Sequence, residues 1–318
     1  MTPTQATERT RDLLRLRHMS LATEECYLGW LGRFVAWLPK AEAGLSSEKK
    51  IEGYLTLLAR QGMAASTQNQ AFNALLFFYT QVLGQKLENI NALRARRPAM
   101  IRTAPTVDEV RQLFAGLTDL HGYPTRLIAR LIYGCGMRVC EPLNLRVKDV
   151  EIGHSRLILR GAKGSKDRMI ALPCAIVGEL KEQLRAARLV WERDRREGVP
   201  VKLPGLLAAK YPAWRFSWQW AWVFPSHKPC ADPRNGQTVR WRCHEANVQR
   251  AVKQAADRAG LSMTPHHLRH AYATHVIQSG ANIRDVQEQM GHAQMETTAG
   301  YITPRACAIP SPLEAIPC

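Results

Sequence analysis

Paired metal-binding and disulfide motifs are missing from this sequence. Its eight cysteines include no C-x-x-C pair, and the nearest groupings, Cys135 with Cys140 and Cys243 with His244, lack the spacing of a zinc site. They read as reduced, mostly buried thiols of a cytoplasmic protein, with no metal expected. Long apolar runs are missing too. Nothing approaches the roughly 18 uninterrupted apolar residues of a membrane span, and Met1-Thr-Pro-Thr4 shows no basic and then apolar leader, so a cytosolic chain without a membrane partner is expected. Acidic side chains are the third shortage: 27 Asp and Glu stand against 44 Lys and Arg, a net charge of +17. Because 46% of the residues are apolar, this excess sits on a chain with a real core. A polyanionic partner follows, most simply nucleic acid held through its phosphates, although a ribosomal or membrane-surface protein would share the balance.

At 318 residues the chain suits two domains. Tyr27, Leu28, Leu31, Phe34, Val35 and Leu38 form an apolar stripe at helical spacing that Pro39 stops; Ile51, Tyr54, Leu55 and Leu58 mark a second helix. Ser66 is expected to cap a third, Thr67 to Tyr79, closed near Gly84. Residues 1–93 are therefore expected to be an all-helical bundle, with Arg15, Arg17 and His18 on a solvated polar face. Residues 94–105 are basic, carry two prolines and lack apolar periodicity, as an interdomain linker would. Thr106, Asp108 and Glu109 supply a capping threonine, a first-turn acid and a capping-box glutamate where a second domain, 106–318, begins. Further on, Arg156 to Arg160 and Arg168 to Leu172 read as two strands of a hairpin around Gly161 to Asp167, and Ala175 to Arg195 as a long charged helix.

Five short patterns carry chemistry. His266 and Arg269 lie three apart on a helix opened by Pro265, so both leave one face and can grip one anion. Tyr301 follows His292 by nine positions, across a Thr297-Thr298 turn. Upstream, Gly136-Met-Arg138 lets the backbone turn a guanidinium inward, where Glu141 can hold it by a paired hydrogen bond. Lys163 and Lys166 sit at the hairpin tip. Each has a bland counterpart: a chance His-x-x-Arg, a half-buried core tyrosine, a solvated lysine. The ordered set is what makes chance a poor explanation. Residues 199–226 hold four of the eight tryptophans. Pro204 can open a short helix there, ended by Pro212, and Trp222-Val-Phe224 reads as a strand. Trp218 and Trp220, interleaved with Lys210 and Arg215, either pack a core or stack unpaired bases while the cations meet the backbone; for Trp222 the core is preferred.

The order Gly-x-Arg-x-x-Glu, lysine turn, His-x-x-Arg, Gly-His, Tyr resembles the tyrosine recombinase, or phage integrase, family. Ser66 to Tyr79 and the tryptophan-rich 199–226 resemble its integron integrase branch, which carries an extra helix between the catalytic boxes, and the likeness runs over nearly the whole chain. Departures are few: Cys140 and Pro142 in the first arginine box, and Trp241 and Arg242 where that branch commonly has two histidines. The resemblance implies a mainly α fold with a small β-sheet (α+β), a helical core-binding bundle that clamps DNA followed by a catalytic domain with an inserted helix. It implies Arg138, Lys163, His266, Arg269 and His292 around one phosphate, Tyr301 as nucleophile, Glu141 in support, and no cofactor. DNA contacts are expected from Arg94, Arg96, Arg97, Lys166, Lys210, Arg215, Trp218, Trp220, Trp241 and Arg242. The implied partners are a duplex attachment site and a folded single-strand hairpin of a gene cassette, bound by a homotetramer that is monomeric when free, in the bacterial cytoplasm at the nucleoid. The alternatives are a Xer-type or phage-type recombinase on duplex DNA alone, which would lack the insertion, and a basic DNA-binding protein that no longer catalyses.

Overall fold

A computed structural model describes residues 1–42, 44–88, 103–161 and 167–291. By internal contacts the chain divides into two units, Met1–Met100 and Ile101–Cys318.

In the first unit, α1 (Pro3–Leu16), α2 (Leu21–Trp37), α3 (Ser47–Arg60) and α4 (Ala65–Phe77) pack around Leu14, Leu31, Phe34, Ile51, Tyr54 and Leu75, all buried. Helix starts follow local chemistry. The Thr2 and Gln5 side chains form a capping box on α1, Ser20 caps α2 and Ser46 caps α3, each supplying an acceptor to an otherwise unpaired N–H. Ser66 does not cap α4. That helix begins two residues earlier, with Ala64 at the cap position and no side-chain acceptor there, and it runs into a π-helical turn, Phe78–Val82. The Arg15 to His18 cluster is only partly a solvated face: Arg15 forks onto Glu24 at 2.8 and 3.1 Å, and Arg17 reaches Gln81 and lies over the Phe77 ring.

The second unit opens with α5 (Val107–Gly116), capped by Thr106 and Glu109 in the expected box. Then come α6 (Thr125–Cys135), the short α7 (Cys140–Leu143), and an antiparallel sheet of β1 (Val150–Glu151), β2 (Arg156–Leu159) and β3 (Arg168–Ala171), in that spatial order. The register pairs Arg156 with Ala171 and Leu159 with Arg168. The long α8 (Cys174–Arg196) follows, then α9 (Leu207–Lys210), a second hairpin of β4 (Cys230–Ala231) and β5 (Thr238–Val239), and finally α10 (Glu245–Arg258), α11 (Pro265–Gln278) and α12 (Ile283–Met290). The core runs through Ile128, Leu131, Ile132, Leu143, Leu157, Ile170, Val252 and Leu268. This is the expected mainly helical fold with a small sheet. No helix among the described residues is long and apolar enough to cross a membrane.

The insertion departs from expectation in detail. Pro204 precedes α9 by three residues rather than opening it, Trp218–Trp220 is a 3-10 turn, and Trp222 makes only an isolated bridge to Arg146. Trp222 to Phe224 is buried as a core strand would be, but the stretch pairs only through single bridges, Trp222 with Arg146 and Pro225 with Arg242. Buried polar groups fix the segment instead. The Arg146 guanidinium lies over the Trp222 ring and donates to the carbonyls of Trp220 (2.8 Å) and Lys202 (2.6 Å), while the buried Arg240 forks onto Asp194. Burial pulls the Arg146 pKa below its ordinary value, partly offset by Asp149.

Candidate active site

Two turns and one helix build the site. Helix α6 ends at Gly136, whose φ of +63° is left-handed, a conformation that only glycine adopts without strain. A Cβ there would also meet the Tyr272 ring at 2.5 Å. The chain can therefore turn tightly against α11 and send Arg138 back across α7. Helix α12 ends the same way, at Gly291 (φ +63°).

Glu141 stands between them. Its Oε2 accepts from the Arg138 backbone N–H (2.7 Å) and its Oε1 from Arg138 Nη1 (2.8 Å). The same Oε2 accepts from Arg168 Nη2 at 2.7 Å and lies 3.8 Å from Arg269 Nη1. Burial alone would push this carboxyl up; the hydrogen bonds from Arg168 and from the Arg138 backbone and side chain together outweigh it and hold Glu141 below its usual range. So one carboxylate faces three guanidinium groups.

Backbone carbonyls hold the same cations from other sides. Arg269 donates to the carbonyls of Gly136 (2.5 Å) and Met290 (2.8 Å), Arg138 Nη2 to Gly291 O (3.2 Å), and Arg168 Nε to Gln289 O (2.9 Å). Carbonyls orient a guanidinium without cancelling its charge. The cluster is thus a fixed, net-positive cage of the kind that stabilises charge developing on a phosphate. Arg269 is 2% exposed, whereas Arg138 keeps about a third of its side chain in solvent (31%).

His266 lies one turn before Arg269 on α11, whose start is fixed by Thr264 and by His267, the Nδ1 of which accepts from the Thr264 N–H at 3.0 Å. His266 is exposed and lines a concavity of about 430 Å³ with Val139, Lys253 and Met263. Tyr272, on the same helix, is buried, and burial pushes its phenol up to about 12. Among the described residues, no group of acidic, histidine or cysteine side chains could hold a metal.

The structure therefore brings Arg138, Glu141 and Arg269 together and sets His266 nearby on the α11 surface. Lys163, Lys166, His292, Tyr301, Arg94, Arg96 and Arg97 lie outside the described residues. Arg168 is the residue that sequence reasoning missed. Its signal was an inverted alternation: in β3 the arginine shares the inner face with buried Ile170, while Met169 points out, 63% exposed.

The expected base-contacting residues from Lys210 to Arg242 also belong to the second unit. Tyr211 and Trp214 stack at 4.1 Å, Trp214 and Trp220 at 5.2 Å, and Lys148 caps Trp220 at 4.4 Å. Trp218 instead packs on Trp191 under Arg188. Lys210 sits over Tyr211, Arg215 reaches Gln237, Trp241 lies beneath Lys202, and Arg242 pairs with Glu245 at 3.1 Å.

Comparison with known proteins bears on both units. The family model described as "Phage integrase family" matches residues 105–306, and "Phage integrase, N-terminal SAM-like domain" matches 7–89. An "Integrase/recombinase" of Escherichia coli is 39% identical over 98% of this chain and 93% of its own length. "Tyrosine recombinase XerD" of Agrobacterium fabrum is 31% identical over 79% of this chain and 74% of its own. Among solved structures, XerH bound to its difH substrate superposes with a TM-score of 0.62 at 20% identity (95% of this chain, 82% of that one). A lambda integrase dimer bound to a core site gives 0.61 at 18% identity (97% and 98%). At such identities these structures show a shared fold.

Proposed function

The chain belongs to the phage integrase family, the tyrosine recombinases that cut and rejoin DNA through a phosphotyrosine intermediate, and from that premise we propose that it is an integron-type integrase, joining gene cassettes carried as folded single-strand hairpins to a duplex attachment site. The observation that carries the catalytic part is the convergence of Arg138, Arg168 and Arg269 on Glu141.

In this reading Tyr301 attacks the scissile phosphorus. Arg138, Arg269 and His292 spread the charge of the pentacoordinate transition state. A phenol with an ordinary pKa of about 10 needs help to lose its proton, and His266 is the base assigned to it. Lys163 protonates the departing 5′ oxygen. The 3′-phosphotyrosyl bond conserves the energy of the phosphodiester, so a second DNA end can attack it without ATP. Four protomers, monomeric when free, assemble on two DNA sites in the bacterial cytoplasm. The 1–93 bundle and 94–105 linker, with Arg94, Arg96 and Arg97, clamp the duplex against the 106–318 catalytic domain, and Lys166 adds a phosphate contact.

The insertion supports the cassette reading. A ladder of Tyr211, Trp214 and Trp220, in which Tyr211 and Trp214 are exposed and Trp220 is half-buried, offers aromatic surface to unpaired bases once Lys210 moves from the Tyr211 ring to the backbone, where Arg215 joins it. Trp218, engaged with Trp191, and Trp241 and Arg242, engaged with Lys202 and Glu245, have smaller parts in this scheme. Binding to a folded cassette hairpin and to the same sequence as full duplex decides it. The expected result is tighter hairpin binding, reduced by Trp214→Ala and Trp220→Ala to a cost of roughly 1–3 kcal/mol per stacked base. Equal binding, unmoved by either substitution, would favour a Xer-type enzyme on duplex DNA, in line with the XerD relative.

A further inference from the structure

Arg168 has a role that none of the sequence motifs assigned to it. Its planar group ties together three separate pieces of chain: β3, to which it belongs; the α7 turn, through Nη2 to Glu141 Oε2 at 2.7 Å; and the end of α12, through Nε to Gln289 O at 2.9 Å. The third nitrogen, Nη1, is buried without a hydrogen-bond partner among the described residues. It packs against the Gly291 turn, where a Cβ would come within 2.9 Å of it. Buried donors are rarely left unpaired; here the guanidinium is held by its other two nitrogens in a plane that gives the third no acceptor.

The two arginines assigned to the phosphate hang from the same anchors. Arg138 depends on Glu141 and on Gly291 O, Arg269 on Met290 O with Glu141 close by. We propose that Arg168 is the positioning residue of this pair, fixing Glu141 and the Gln289 to Gly291 backbone so that Arg138 and Arg269 meet the phosphate at one set distance; the proposal rests on the recombinase reading above. Lysine cannot replace it fully. An ammonium lacks the rigid fork that serves a carboxylate and a peptide carbonyl at once.

The test is single-turnover cleavage of a nicked suicide duplex by the full chain, with DNA affinity and melting temperature measured on the same preparations. Wild type is compared with Arg168→Met, Arg168→Ala, Arg168→Lys and, on the outward face of the same strand, Met169→Ala. Displacing both phosphate ligands should lower the cleavage rate of Arg168→Met between about tenfold and a hundredfold, with a much smaller change in affinity. Arg168→Lys should fall in between, and Met169→Ala should match wild type. Added guanidinium ion should restore part of the rate of Arg168→Ala, which loss of folding alone would not allow. An Arg168→Met rate within about twofold of wild type, or a loss that follows melting temperature and resists guanidinium, overturns the proposal while leaving the recombinase reading intact. A wild-type chain that does not cleave overturns both.

Discussion

Glu141 sets the electrostatics of the site because it is one anion among three cations. Removing its charge leaves Arg168 and Arg269, both nearly buried, without their shared counter-ion, and breaking such a pair costs roughly 3–5 kcal/mol. Its pKa is depressed in the fold, so the unfolded chain binds the proton more readily. The stabilisation is therefore complete above about pH 4.3, the ordinary glutamate value, and is lost as pH falls through the lower folded value. Urea unfolding of wild type and Glu141→Gln at neutral and acid pH checks this: the variant should be less stable at pH 7, and the gap should close in acid. A pH-independent gap would show that packing, not charge, holds the turn. Tyr272 belongs to the same scale. Burial pushes its phenol up to about 12, which makes it a poor nucleophile although it packs against the loop bearing Arg138.

Between elements, the turn that follows α6 and helix α11 carry the two assigned arginines, and Gly136 lets them approach. Gly136→Ala imposes a left-handed backbone on a residue with a Cβ and drives that Cβ into the Tyr272 ring. Strain and overpacking together should cost about 2–5 kcal/mol, read as a lowered unfolding midpoint with a parallel loss of cleavage. An unchanged midpoint would mean the contact is looser than described. How far the sequence foretold the site depends on the range of the interaction. Thr106 with Glu109, Pro265 at the start of α11 and Glu141 beside Arg138 act within three residues, so their roles could be read from spacing. Arg168 meets partners 27 and 121 positions away, and no local pattern contains them; only its inward place opposite Met169 hinted at a use. Ser66 failed as a cap because the chain entered α4 two residues sooner. The 199–226 segment resisted for a related reason, since the groups that order it, Arg146 and Arg240, lie outside it.

At the scale of the whole molecule, a net charge of +17 and two units matched by two parts of one family fit an enzyme whose substrate is itself a polyanion. The positive cage of the second unit is useful only if a tyrosine reaches the phosphate it holds, and the chain offers eight tyrosines. The most direct measurement traps the protein on a nicked duplex, digests the covalent complex and maps the modified peptide by mass spectrometry. The account expects DNA attached through its 3′ phosphate to Tyr301, no adduct from Tyr301→Phe, and an undiminished adduct from Tyr272→Phe. Attachment to any other residue, or an adduct that survives Tyr301→Phe, would contradict it.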